Sequence, residues 1–525
     1  MRVNTRQLHV PKTLPAPTGG LNGRDPLPVM DNRDAYRLDN WLPNTGTVDA
    51  RKGCQAFATG LGAPVRSLEV YSGAAGDKLL AFANGNVSNV STGIPSVLAS
   101  GKSSDEVIAA MFSNAADNSQ HLLCVTGVDT PYRYDGTSVS NLTITGVTGS
   151  VSTLNYVFAF KGRVYFAQRD KLGFYYLATG AIQGAASFYD LGQVSKLGGY
   201  LVAIASYSDG SGETPQDYIV FITSKGECIV FSGFDPSDVN NWTLVGRYYA
   251  GTPIGKKCTF NYASELVLIT LEGAVAFSEI RRVGDSKSKG VTTSEYSAIT
   301  SKLGSYLSDL SMNASANGWQ GLIAPTEGLL LINAPATTTP SGAYSLFAMN
   351  TKTNAWTRII DWNGITYCVF NKRLYFGKFD GTINLAFEGF NDLGEDIRLD
   401  CKQAYDYFDN GDGANSAFMR KHFQWANILV SCNGTPPLSA QFNVDYVETQ
   451  PDYLNDLEDS EGAEWDVGTW DLVSWGTDEF TQRVLVTLNK TGVAGSLWLR
   501  ASINGLSLRW YATNYAFERL SGLLL

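Results

Sequence analysis

Short apolar runs closed by turn residues recur through the middle of the chain. KLLAFAN starts at Lys78, HLLCVTG at His121, RVYFAQR at Arg163, YIVFITS at Tyr218, ELVLIT at Glu265, GLLLINA at Gly328 and RLYFGKF at Arg373. Such runs, bounded by Gly, Asn, Asp and Ser, predict β-strands. Most steps between them are close to the roughly 40–50 residues of a four-stranded propeller blade. A second run often follows across a glycine turn, as in SKGECIVFSG (224–233), LEGAVAFSEI (271–280) and FDGTINLAFEG (379–389).

The strand chemistry narrows the choice. In Arg163–Arg169, Val164 and Phe166 point to one face and Tyr165 and Ala167 to the other. Both faces are therefore apolar or aromatic, whereas a sheet with one wet face alternates apolar with polar. Each large side chain that is fully buried contributes about 1.5–3 kcal/mol. A ring of small sheets buries both faces and leaves few open edges. The expectation is an all-β fold, β-propeller-like with six or seven blades, over residues 54–393. An irregular β-sandwich is the alternative. Ile299, Leu303, Tyr306, Leu307 and Leu310 recur at helical spacing, which predicts a helical insertion near 281–316.

Beyond residue 393 the strands lengthen, as in HFQWANILVSC (422–432), LSAQFNVDYVE (438–448), QRVLVTLN (482–489), SLWLRAS (496–502) and LSLRWYA (506–512). They predict a separate C-terminal β-sandwich or barrel domain over 394–525, and few short helices in the whole chain. Inside it, 451–482 carry many acids and no Lys or Arg, among them Asp452, Asp456, Glu458, Asp459, Glu461 and Glu464. Like charges this dense predict an exposed, solvated loop. The sharper reading is a docking surface, or a lumen lining that repels DNA.

At the other end, residues 1–53 read as an extended arm followed by a short helix. Pro11, Pro15, Pro17, Pro26 and Pro28 withhold ladder donors, and Arg2, Arg6, Lys12 and Arg24 make the arm positive. Either it is a loose terminus or it crosses to a neighbouring subunit. Asp31 or Asn32 as cap, with Ala35, Tyr36, Leu38 and Trp41 as the apolar face, predicts the helix. Pro43 and Gly46 stop it, and Thr47–Arg51 reads as a strand.

Composition agrees with β-structure. Of 525 residues, 53 are Gly, 12% are aromatic and 17% are charged, against roughly 25% charged in an average soluble domain. The net charge of −10 argues against a dominant basic nucleic-acid surface. No apolar run approaches the roughly 18 residues of a membrane helix, and the N-terminus lacks the apolar stretch of a signal peptide. Seven scattered cysteines without a C-x-x-C point to buried thiols made in a reducing compartment.

The chemistry expected of an enzyme is missing from the pattern. No P-loop, G-x-S-x-G or H-E-x-x-H occurs, and His9, His121 and His422 have no metal-ligand spacing. The tract 406–413 looks calcium-like but fails the D-x-[DN]-x-[DN]-G spacing and reads as a turn. The sialidase, WD and kelch turn signatures are not repeated once per blade; Trp465-Asp466 and Trp470-Asp471 lie side by side instead. No catalytic residue, no metal and no cofactor is expected.

Residues 19–71 carry a Gly-Gly-Leu-Asn opening, then Asp39-Asn40-Trp41-x-Pro43, Gly46 and Arg51-x-Gly53. This segment resembles the start of tail nozzle (tail tubular protein B-like) virion structural proteins of short-tailed bacteriophages. A second stretch, 197–255, is similar through Phe234-Asp235-Pro236-Ser237-Asp238 and Trp242-x-Leu244-Val245-Gly246. The C-terminal part carries no matching motif. The resemblance implies a non-enzymatic, homohexameric tube below the portal and its adaptor (head-to-tail connector) ring. It further implies tail fibres or spikes as partners, and double-stranded DNA held and conducted in the lumen without sequence-specific binding. The place would be the virion tail, assembled in the host cytoplasm. An acidic lumen would let DNA slide, since a basic one would hold its phosphates. Asp39, Asn40, Trp41, Pro43, Gly46, Arg51 and Gly53 would then be architectural, with Trp41 a core anchor and Arg51 paired to Asp39 or Asp49. They would pin the arm to the propeller or touch a neighbouring subunit. The alternative function is a carbohydrate-binding or carbohydrate-active tail propeller, its 11 tryptophans stacking on sugars.

Overall fold

A computed structural model describes residues 10–209, 216–262, 264–286, 298–311, 317–336, 343–409, 419–453 and 480–523. The chain divides into two compact units, one of residues 56–346 with 363–385, the other of 1–55, 347–362 and 386–525.

The first unit is a seven-bladed β-propeller. The seven runs picked out by the apolar pattern are the second strands of seven sheets: Gly76–Ala83, Gln120–Val125, Arg163–Gln168, Gln216–Thr223, Glu265–Thr270, Leu329–Pro335 and Arg373–Gly377. Each pairs antiparallel with the innermost strand before it, respectively Ser67–Gly73, Ile108–Ser113, Leu154–Phe160, Leu201–Asp209, Thr259–Tyr262, Gln320–Ala324 and Thr366–Phe370. Every sheet touches the next, and Thr366–Phe370 touches Ser67–Gly73, so the ring closes on itself. The outermost strand of the seventh sheet is Cys54–Ala58, which precedes the first sheet in the chain. Closure therefore ties the start of the ring to its end.

Two-sided burial is visible residue by residue. Val164 and Phe166 pack with Phe112, Leu123 and Val125 of the second sheet. Tyr165 and Ala167, on the other face of the same strand, pack with Ala203, Ile219 and Phe221 of the fourth. The first sheet divides likewise. Leu80 and Phe82 join Leu122, Cys124 and Tyr132, while Leu79 and Ala81 join Tyr375, Ile383 and Leu385. Between the third and fourth sheets lies an aromatic stack, with Phe174 against Phe221 at 4.4 Å and Phe231 against Trp242 at 5.0 Å.

The fifth sheet departs from the repeat. After Gly273–Ala276 the chain turns into helix α1, Phe277–Ser286, where the pattern predicted continued strand. Phe277 and Ile280 fill the core against Tyr207, so a helix covers the face that a fourth strand would. The predicted insertion is in part helical: α2 spans Gly304–Ser311, with Leu303 and Leu307 buried.

The second unit is built from two antiparallel-rich sheets. One runs in the order Phe480–Gly492, Met419–Cys432, Leu508–Leu523, Val48–Ala50, Trp41–Pro43, and Val10–Pro15 also pairs with Leu508–Leu523. The other joins Trp356–Ile359, Asp34–Asp39, Ile397–Gln403, Gly495–Ile503 and Leu438–Val444. Phe408, Phe423, Phe442, Tyr515 and Phe517 form its aromatic core, with Phe423 and Phe442 at 4.8 Å.

Two expectations about residues 1–53 need correction. The arm is extended, but Val10–Pro15 pairs within its own chain, Val10 opposite Phe517 and Pro15 opposite Ala512. Its prolines sit on an edge strand, where the missing N–H is tolerated. No helix forms over 31–41; Asp34–Asp39 and Trp41–Pro43 are strands. The apolar spacing there suits either structure. Strand partners at Ile397–Gln403, far off in sequence, and at nearby Gly20–Leu21 decide it. The N-terminal segment and the C-terminal domain thus form one unit instead of the separate domains 1–53 and 394–525, and 347–362 join them instead of the 54–393 body.

Replacing Phe221 with Ala removes one partner of the closest aromatic stack between sheets. Urea unfolding should show a loss of about 3–5 kcal/mol in stability. A loss below about 1 kcal/mol would mean that the third and fourth sheets do not depend on this packing.

Candidate functional site

Two of the residues that carry the resemblance, Asn40 and Arg51, meet in one buried ionic knot. Asn40 adopts a left-handed backbone (φ 61°), a conformation that Asn tolerates better than most residues. This turn separates Asp34–Asp39 from Trp41–Pro43. Fully buried Asn40 donates from Nδ2 to Arg398 O at 2.7 Å and accepts at Oδ1 from Ile360 N and Arg51 Nε. Arg51 is also fully buried, and all five of its N–H groups find acceptors. Nε takes Asn40 at 2.8 Å, Nη1 takes Lys52 O and Asp392 Oδ1 at 3.0 and 2.9 Å, and Nη2 takes Ile360 O and Asp392 Oδ2. Trp362 lies under the guanidinium at 4.8 Å and donates its own Nε1 to Asp392 at 3.0 Å. A buried cation this fully paired is held in one geometry.

The partner of Arg51 is therefore Asp392, not Asp39 or Asp49. Asp39 forms a two-pronged pair with Arg358 at 2.7 Å, and Asp49 pairs with Arg509 at 3.0 Å. Arg51 lies past the end of the hairpin that holds Asp49, where the isolated bridge between Cys54 and Asp392 brings the distant loop alongside. The remaining motif residues fit the same frame. Trp41 is buried against Trp510 at 6.1 Å, and Pro43 O accepts from Asn350 Nδ2. Gly46 takes φ +81° in the turn. A Cβ on Gly53 would sit 1.7 Å from Asn391 O, so no side chain fits there.

The second motif stretch clamps neighbouring sheets of the propeller. Asp235 pairs with Arg163 of the third sheet at 2.7 Å, and Trp242 stacks with Tyr165. Of the predicted acids, exposed Asp452 lies within the described residues, while Asp456, Glu458, Asp459, Glu461 and Glu464 lie outside them. The calcium-like tract is described only as far as Asp409, and there Asp406 is occupied by Lys12 at 2.7 Å and Asn32 at 3.2 Å. Trp425 is the one exposed tryptophan among the described residues; Trp41, Trp242, Trp319, Trp356, Trp362, Trp498 and Trp510 are buried. Those seven are not available to stack on sugars.

Sequence reasoning missed the polar centre of the propeller. Two adjoining cavities of about 250 and 340 Å³ share Gly255 and Lys256. Their linings draw on the leading ends of all seven innermost strands or the residues just before them, from Arg66 in the first sheet to Thr366 in the seventh. These are the places where the ring converges. The Val107 N–H donates to Ser67 Oγ between the first and second sheets, and Gln320 bridges the sixth to the seventh through Tyr367 N and O. Lys257 reaches Glu69 at 3.3 Å, from the fifth sheet to the first. Burial pushes the Glu69 carboxyl above its usual range, with Lys257 opposing. The lining cations are scattered through the sequence, so no local motif announced them.

No family model matches the chain, and no curated protein matches it in sequence. Solved structures are similar to the chain only at a low level. The extracellular domain of BT3049 from B. thetaiotaomicron, described as a hybrid two component system, is 10% identical with a TM-score of 0.41 over 84% of this chain. The chain spans about half, 55%, of that protein's length. YCF48 from Cyanidioschyzon merolae is 11% identical with a TM-score of 0.35, over 64% of this chain and 98% of its own. BBS1N, solved in complex with ARL6DN, is 10% identical with a TM-score of 0.38, over 65% of this chain and 99% of its own. Likeness at this level carries no information about function.

Asp392→Ala leaves the Arg51 guanidinium buried without its carboxylate. Chemical denaturation should show about 3–5 kcal/mol lost. Arg66→Ala, which removes the part-exposed 3.5 Å pair with Glu106, should change stability by less than about 1 kcal/mol. Equal effects would show that the knot contributes no more than a surface ion pair.

Proposed function

We propose that this chain is a structural subunit of a short phage tail: a nozzle protein that forms a homohexameric tube below the portal and adaptor ring, retains and conducts genomic DNA, and docks fibres or spikes. The observation that carries this reading is the knot around Arg51. Each of Asp39, Asn40, Trp41, Pro43, Gly46, Arg51 and Gly53 closes a hydrogen bond, an ion pair, a tight turn or a packed contact. A motif used wholly for construction suits a protein whose work is to be a wall.

The material of the wall supports the same reading. Sheets buried on both faces deform little, because close-packed interiors have low compressibility. The acidic balance, −10 over the chain, suits a conduit through which a polyanion slides. Asp235 and Trp242, in the second stretch of resemblance, brace their sheet against Arg163 and Tyr165 of the one before it, as a stiff ring requires.

Electron microscopy of the purified protein, alone and mixed with its adaptor, tests the proposal. Class averages should show a six-fold ring with a central channel, and an antibody to this chain should label virion tails. A monodisperse monomer under both conditions, or unlabelled tails, would overturn it.

A further inference from the structure

The axial cavities of the propeller are lined by more cations than carboxylates. Arg66, Lys256, Lys257 and Arg169 line them, against the carboxylates of Glu106 and Asp170. Three of the four cations are engaged. Arg66 stands 3.5 Å from Glu106, Lys257 is 3.3 Å from Glu69, and Arg169 donates to Gly127 O. Lys256, which lines both cavities, has no hydrogen-bond or ion-pair partner among the described residues. Burial lowers the affinity of its amine for a proton, Glu106 opposes this and Arg169 adds to it. On the smaller lining the Asn317 Nδ2 donor is also buried without a partner, while on the larger one the unpartnered atom of Asn155 is its acceptor Oδ1.

Partly desolvated cations inside a cavity are costly unless an anion meets them. The low-dielectric walls of a cleft also focus the field of its cations. Within a chain of net charge −10, this local excess of positive charge stands against the general balance. The smaller space, about 250 Å³, has an apolar wall at Trp319, Val107 and Ile254 facing the charged groups. Apolar walls with a few convergent polar groups are the usual make-up of a small-molecule site.

We propose that the axis of the propeller is a binding site for a small oxyanion, a carboxylate or phosphate group, with Lys256 as its central ligand. Lys256 Nζ donates to the anion, and Arg66 and Arg169 add charge from the two sides. The site lies wholly within the propeller unit and is independent of the nozzle reading.

Isothermal titration calorimetry of the full chain at low ionic strength, with inorganic phosphate and separately with citrate, tests it. Wild-type protein should bind at least one of the two, and the tighter one tells a phosphate from a carboxylate headgroup. Lys256→Met should weaken binding by about tenfold or more, the loss of one charge-assisted hydrogen bond. Lys256→Arg should retain binding, and Lys196→Met, at an exposed lysine, should leave it unchanged. If Lys256→Met fails to fold, NMR of ¹³C-methylated lysines in the wild-type chain replaces it, and the Lys256 signal should move on adding the anion. No binding of either probe by folded wild-type protein, wild-type affinity in Lys256→Met, or a Lys256 signal that stays still would overturn the proposal.

Discussion

Everything in the propeller follows from sheets that are apolar on both faces. Arg163–Gln168 is buried at every position, and so is Leu329–Pro335. Such a strand cannot turn either side to water, so each sheet needs a neighbour on both sides. A linear stack would leave its first and last sheets half bare. Joining the seventh sheet to the first removes the bare faces, and Cys54–Ala58 makes the join part of a hydrogen-bonded sheet. Directed contacts then fix the order and spacing that hydrophobic burial alone leaves loose: Phe174 on Phe221, Arg163 on Asp235, Gln320 on Tyr367.

The second unit solves a different problem with different chemistry. Its strands come from three separate stretches of chain, and the Arg51 knot binds all three. Arg51 and Asn40 come from the N-terminal stretch and Asp392 and Arg398 from the C-terminal one, with Ile360 and Trp362 supplied by the third. A guanidinium with five directed donors is suited to this. It accepts only one arrangement of its partners, so it specifies register where apolar contacts between remote segments would tolerate slippage. Whether such a knot adds net stability over an apolar core is a separate matter from the specificity that it confers.

The propeller was legible because its signal is local and repeated. Seven runs announced seven second strands, and the two-faced chemistry of Val164 to Ala167 told ring from sandwich. The helix expected over 31–41 failed for the opposite reason. Ala35, Tyr36, Leu38 and Trp41 fit a helical face, but Ala35 and Leu38 find strand partners hundreds of residues away, and pairing to Ile397–Gln403 overrides local spacing. Arg51 was picked out as a paired residue, yet its acid could not be chosen from neighbours in sequence, because Asp392 arrives by tertiary contact. The axial cations were invisible for the same reason. Arg66, Arg169, Lys256 and Lys257 share no motif and meet only once the ring is closed.

Ring closure is the claim on which the rest stands, and native-state hydrogen exchange measures it directly. In a closed ring the second strands of the first and seventh sheets, Gly76–Ala83 and Arg373–Gly377, have no free end to fray from. Their amides should be protected as strongly as those of Gln216–Thr223 in the fourth sheet and should open together with them. Protection that falls away stepwise toward the first and seventh sheets would mean an open stack of blades and would contradict the account.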